Sequence, residues 1–90
     1  MPYIERADRP KFDDIIDSAE QVINAYGISN GELNYVFTQL GRLYLKKHGT
    51  SYNTISDVIK GLECAKLEFY RRVAAPYEDK KMWQNGDVYV

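Results

Sequence analysis

Apolar positions in this chain recur at steps of three and four along most of its length, the spacing of one face of an α-helix. Phe12, Ile15, Ile16, Ala19, Val22, Ile23 and Tyr26 form the first stripe. It predicts a helix over about residues 10–26. Asp8 stands where an N-cap belongs, Pro10 suits a first turn, and Asp13 and Asp14 favour the positive end of the helix dipole. Gly27 supplies a left-handed stop. After the short loop Ile28-Ser29-Asn30-Gly31, a second stripe of Leu33, Val36, Phe37, Leu40, Leu43 and Tyr44 predicts a helix over about residues 32–47. Lys46, Lys47 and His48 stand at its negative end, and Gly49 closes it. Gly41 is out of place in mid-helix, where glycine costs about 1 kcal/mol relative to alanine. Close packing of another backbone is one reason for it; simple tolerance is the other.

The third segment carries more apolar surface than one buried stripe needs. Ile55, Val58, Ile59, Leu62, Ala65, Phe69 and Val73 make one line, and Leu67, Tyr70, Ala74 and Tyr77 make a second beside it. A small helical protein buries one stripe per helix, so the second line predicts a partner surface. The helix is expected over about residues 54–75, with Thr54-Ile55-Ser56-Asp57 as a capping box in which Asp replaces the usual Glu or Gln. Pro76 has no N–H to donate and disfavours helical geometry at Ala75, so the helix either kinks or ends there. Residues 82–90 read as a loose tail, in which Val88-Tyr89-Val90 has the residues of a short strand. The expected fold is all-α: a small three-helix bundle, or a helical hairpin with a long C-terminal helix, in a single domain spanning residues 1–90. The surplus apolar surface makes a homo-oligomer the expected state, with Leu67, Tyr70, Ala74 and Tyr77 at the interface.

Composition narrows the classes of function. Twelve basic and thirteen acidic residues leave a net charge of −1, so no general positive field draws the chain to nucleic acid. A helix-turn-helix reading fails because the third helix spreads bulky apolar residues over two faces and carries Glu63 and Glu68. The N-terminus lacks the apolar stretch of a signal peptide, and no run approaches the roughly 20 apolar residues that span a bilayer. A lone cysteine, Cys64, excludes an internal disulfide and suits a reducing compartment, so a soluble cytoplasmic protein is expected. Eight tyrosines are an excess for this length, and tyrosine suits surfaces that are apolar on one side and wet on the other.

Candidate chemistry is thin. Cys64 and His48 lie on different elements without ligand spacing, so no metal or other cofactor is expected, and no motif makes them a catalytic pair. The carboxylates are spaced as helix-end and surface groups; Glu68 precedes Arg72 by four residues, a common surface pair. No catalytic residue is assigned, and the expectation is a binding protein rather than an enzyme. The constellation that stands out is Lys66, Tyr70, Arg71 and Arg72, with Tyr77 and Lys80 beyond the proline. Arginines and stacking tyrosines match phosphates and nucleobases, so these six residues are the candidate ligand site. A salt-bridged, solvated helix face is the competing reading of the same residues.

The segments Gly31-Glu32-Leu33-Asn34-Tyr35-Val36, Leu62-Glu63-Cys64-Ala65-Lys66-Leu67-Glu68-Phe69-Tyr70-Arg71-Arg72-Val73 and Ala75-Pro76-Tyr77-Glu78-Asp79-Lys80-Lys81 resemble a family of short, uncharacterised proteins of bacteriophages and prophages, over nearly the whole chain. That resemblance implies a phage accessory protein and brings no catalytic residues with it. The last helix, at Ala65, Lys66, Tyr70, Arg71, Arg72 and Pro76, is also similar in residue type to phage helical sponges that sequester cyclic oligonucleotide immune signals (anti-CBASS proteins). This second likeness implies an oligomer that binds a cyclic nucleotide, or another small anion, between chains. Docking on a host protein through an exposed helix face is the alternative.

Overall fold

A computed structural model describes residues 1–89 of the chain. These residues are helical almost throughout, with no strand among them. Two short 3₁₀ turns, Arg6–Asp8 and Pro10–Phe12, lead into α1 (Asp13–Tyr26). Next come α2 (Asn30–His48), α3 (Tyr52–Phe69), a π-helical turn (Tyr70–Ala74) and α4 (Ala75–Asn85). α3, the π turn and α4 follow one another without a break, so besides the 3₁₀ turns the described residues form three helical stretches, of which the last is the longest. Two units are distinguished: one is Tyr3–Val58, and the other is Ile59–Val90 with Met1–Pro2.

The ends of the helices differ in instructive ways from the pattern reading. α1 begins at Asp13, because the segment from Pro10 forms a 3₁₀ turn, and Asp8 lies inside the earlier 3₁₀ turn rather than at an N-cap. α2 begins two residues earlier than the apolar stripe, at Asn30, because Ser29 and Glu32 form a reciprocal capping box. The Glu32 N–H donates to Ser29 Oγ at 3.1 Å, and the Ser29 N–H donates to Glu32 Oε1 at 3.0 Å. α3 likewise begins at Tyr52 rather than Thr54. Ser51 accepts from the Thr54 N–H at 3.2 Å while the Ser51 N–H donates to Thr54 Oγ1 at 2.9 Å. The box proposed for Thr54 and Asp57 is therefore displaced by one centred on Ser51, and Asp57 is left for another partner.

The C-terminal expectation needs the largest correction. Helix continues through Pro76 to Asn85, so residues 82–85 are not a tail. Its physical reason is the π turn. A proline ring clashes with the carbonyl four residues before it and offers no N–H. Here the turn before the proline widens, and the Ala75 N–H donates to the Tyr70 carbonyl five residues back, the π pattern. Helix stops only at Gly86, which takes φ +93°, a conformation that favours glycine, while its N–H donates to the Met82 carbonyl at 2.8 Å. Beyond it Val88 forms a bend, and the Val88-Tyr89-Val90 strand reading falls partly on Val90, outside the described residues.

Within the Tyr3–Val58 unit, α2 meets the start of α3 at two places. The Tyr44 hydroxyl donates to Asp57 Oδ2 at 3.0 Å. At Gly41, a Cβ would lie 2.8 Å from Cγ1 of Val58, so any larger residue would force one of the two to shift. What approaches is a side chain rather than another backbone.

No described residue is fully buried. The stripe expected to form the core is as uncovered as the one expected to be an interface: Ile59 and Phe69 are 62% and 68% exposed, against 57% for Leu67. Exposure alone therefore does not mark one face of the last helix as core and the other as interface. Stripes on α1, α2 and α3 all keep large apolar side chains open to solvent.

Candidate functional site

The six candidate ligand residues lie on the end of α3, the π turn and the start of α4, all in the unit that holds Ile59–Val90. Two of their four cations, Lys66 and Arg71, are answered by carboxylates on the same stretch. Lys66 Nζ pairs with Glu63 Oε1 at 3.1 Å, one turn back. Arg71 Nε donates to Glu68 Oε2 at 3.3 Å, and its Nη2 pairs with Glu68 Oε1. Glu68 thus takes Arg71, three residues on, in place of Arg72, the partner that i,i+4 spacing predicts.

Tyr70 donates its hydroxyl to Glu78 Oε2 at 3.1 Å, across the π turn. Eight residues along a regular α-helix end about 80° apart in azimuth, at 100° per residue. One extra residue absorbed in a π turn makes the pair behave as seven apart, about 20° from alignment. The wide turn that accommodates Pro76 is therefore what brings Tyr70 and Glu78 onto one face. That hydrogen bond, and then the negative charge of Glu78, hold the Tyr70 hydroxyl pKa above the ordinary 10.0. Tyr44 is raised in the same direction by its bond to Asp57.

Tyr77 is engaged differently: Lys81 Nζ sits 5.5 Å from its ring centroid, a cation–π contact on an exposed helix face. Arg72 makes no ion pair among the described residues, and Lys80 makes none either. The structure thus brings Tyr70, Arg71 and Arg72 onto the π turn, but it engages Lys66, Tyr70 and Arg71 with neighbouring carboxylates and Tyr77 with Lys81. Of the interface residues, Leu67, Tyr70 and Tyr77 are exposed and Ala74 is half-covered.

Two shallow concavities lie elsewhere. One, on α2, is lined by Gln39, Arg42, Leu43, Leu45, Lys46 and Thr50. Arg42 and Lys46 are four apart and so share a helix face, a basic pair that the sequence reading passed over. The signal was present as i,i+4 spacing and was masked by the reading of Lys46 as a helix-end charge. The other concavity, between α4 and the segment after it, is lined by Glu78, Asp79 and Asp87 among others and does not suit an anion.

Neither Cys64 nor His48 enters a site. Cys64 is a free, half-covered thiol on α3. His48 packs its ring against Tyr44, with centroids 4.4 Å apart and planes tilted by 43°, rather than turning to helix-end carbonyls. Among the described residues no group of His, Cys, Asp and Glu is placed to hold a metal ion, and no helix is long and apolar enough to cross a membrane.

Compared with known proteins, the chain matches the family described as Domain of unknown function (DUF6899) over residues 1–88. No curated protein and no solved structure matches it.

Proposed function

This chain belongs to the DUF6899 family, and we propose that it is a non-enzymatic interaction protein, a phage-type accessory factor that acts in the host cytoplasm by docking its helix faces on protein. One observation carries the reading. The stripes that a self-sufficient helical protein would bury stay exposed on α1, α2 and α3, and exposed apolar stripes rimmed by charge are the mark of a helix-face interface. Affinity capture from a bacterial lysate, run with the wild type and with Leu43→Glu and Leu67→Glu, tests it. Capture of a defined protein, or of the chain itself, that is lost in a stripe variant supports docking. If neither variant changes anything recovered, the reading is wrong.

A second reading has its own support. Arg72 stands on the π turn without an ion pair among the described residues, and π turns inside α-helices recur at functional sites. With Lys80 beyond it, Arg72 offers charge to a small anion, and the reading is of an anti-defence protein that sequesters a cyclic nucleotide immune signal. Lys66 and Arg71 join such a site only if the ligand displaces Glu63 and Glu68. Isothermal titration with cyclic di- and trinucleotides decides it: saturable heat abolished by Arg72→Ala supports sequestration, and no heat from any of them rejects it.

A further inference from the structure

We infer that one face of α2 is a binding site for a nucleotide, whose phosphates meet Arg42 and Lys46 and whose base meets Tyr35. The net charge of −1 conceals an uneven distribution. Every Asp and Glu lies at or before Glu32, or at or after Asp57. The 24 residues between, 33–56, therefore carry Arg42, Lys46 and Lys47 and no acid. That segment is +3, while the rest of the chain, with nine basic and thirteen acidic residues, is −4.

The positive charge is ordered on the helix. Tyr35, Gln39, Arg42 and Lys46 follow one another at steps of four, three and four within α2. At 100° per residue they fall within about 60° of one another and form a row about 16 Å long. Tyr44 and Gly41, where α2 meets α3, lie about 170° and 130° round the helix from that row. Asp57 is held on that far side by the Tyr44 hydroxyl. Neither Arg42 nor Lys46 makes an ion pair or hydrogen bond among the described residues, and Tyr35 engages nothing through its ring or hydroxyl. All three are exposed. The whole row belongs to the Tyr3–Val58 unit and shares no residue with the Arg72 turn.

The chemistry of the row selects the ligand. Arg42 and Lys46 line the shallow concavity on α2 together with Gln39 and Thr50. A guanidinium takes two phosphate oxygens at once through its planar fork, and an ammonium adds a point charge one turn, about 6 Å, away. Gln39 and Thr50 supply neutral donors beside them. A lone carboxylate would engage Arg42 and leave Lys46 unanswered, whereas consecutive phosphates answer both. Tyr35, at the far end of the row, offers a ring on which a base can stack, as aromatic side chains do beside basic grooves. The negative end of the helix opposes an anion only within its last turn, where Lys46 stands, and Arg42 precedes that turn. Because the concavity is open, its charges are screened by salt, and binding is weak and salt-sensitive.

Titration of the isotope-labelled full chain with ATP free of divalent metal, followed by amide magnetic resonance, tests the site; inorganic triphosphate is the second probe. The expected result is a saturable shift at millimolar ATP or below, centred on the row and weakened by a rise in salt from about 50 to 200 mM. Arg42→Gln combined with Lys46→Gln should weaken both probes by about tenfold or more. Lys46→Arg, which keeps the charge, should retain them. Tyr35→Ala should weaken ATP by about tenfold and leave triphosphate unchanged. Circular dichroism checks that each variant keeps its helix, as these positions away from α3 lead one to expect. No saturable shift with ATP overturns the site, and so does a shift that the double variant leaves unchanged. Binding lost in Arg72→Ala instead overturns it in favour of the π turn. A Tyr35→Ala variant that treats the two probes alike overturns the nucleotide assignment.

Discussion

Replacing Gly41 with alanine sets two opposed effects against each other, and the structure says which wins. In a solvated helix the change should stabilise by about 1 kcal/mol, the propensity difference between the two residues. At this position, however, the new Cβ would stand 2.8 Å from Cγ1 of Val58, well inside the roughly 3.5–4.0 Å at which carbon atoms attract. Val58 is a poor candidate to yield. It is β-branched and lies in α3, where one χ1 rotamer is strongly preferred. Relief must then come from moving α2 and α3 apart, and overpacking of that sort costs about 1–3 kcal/mol. The expected net is a loss of about 1 kcal/mol, or a fall of about 4–8 °C in Tm for a domain of this size. Because association shifts the midpoint, the comparison is made by far-ultraviolet circular dichroism at one fixed concentration. Val58→Ala removes the offending methyl, so Gly41→Ala made in that background should be neutral or stabilising. The two changes should couple by about 1–2 kcal/mol. A Gly41→Ala variant that gains the full propensity value, with no coupling to Val58, refutes the close approach of the two helices.

Further predictions concern the caps, the tyrosines and the proline. Ser29→Ala breaks the capping box of α2 and should cost about 1 kcal/mol in thermal unfolding. The Glu32 carboxyl is held below its ordinary 4.5, first by the Ser29 N–H and then by the Ser29 hydroxyl. Its contribution is present above pH 4.5 and is lost as the pH falls through the lowered folded value, so Glu32→Gln should flatten the acid limb of the stability profile; an unchanged limb contradicts the cap. Tyr44 and Tyr70 are raised above 10.0, so their hydroxyl bonds stabilise below that pH and are lost as it rises through the folded values. Tyrosinate absorbance should show a late-ionising component that Tyr44→Phe and Tyr70→Phe each diminish; a single ordinary titration of all eight tyrosines counts against both bonds. Pro76→Ala restores the missing N–H and should regularise the π turn, raising Tm while lowering the Tyr70 pKa as Glu78 rotates by about 100°, to about 80° from alignment. A rise in Tm with an unmoved Tyr70 would show that the turn has another cause.

The helices were legible because their apolar residues keep the period of 3.6 from Phe12 to Val73, and the glycine stops at Gly27 and Gly49 end α1 and α2 as read. The starts of α2 and α3 were also written in the sequence, as Ser29-x-x-Glu32 and Ser51-x-x-Thr54, but apolar stripes begin inside a helix and say nothing of its cap. Pro76 misled because a proline in a helix can end it, kink it or be absorbed by a wider turn. The choice depends on hydrogen bonds five residues apart that no local pattern encodes. The candidate ligand cluster was visible as residue types only. Which carboxylate takes which cation is a choice between neighbouring partners that spacing leaves open, and the register of the π turn pairs Tyr70 with Glu78, a contact that eight-residue spacing gave no reason to expect. Stripe counting could not separate a core face from a partner face, since Ile59 and Leu67 belong to different stripes and are exposed alike.

Affinity capture from a bacterial lysate with the full chain, beside Leu43→Glu and Leu67→Glu, bears most directly on the claim that the exposed stripes are an interface. The interaction reading predicts a defined protein, or the chain itself, that is recovered with the wild type and lost in a stripe variant. Recovery that neither variant changes would contradict it.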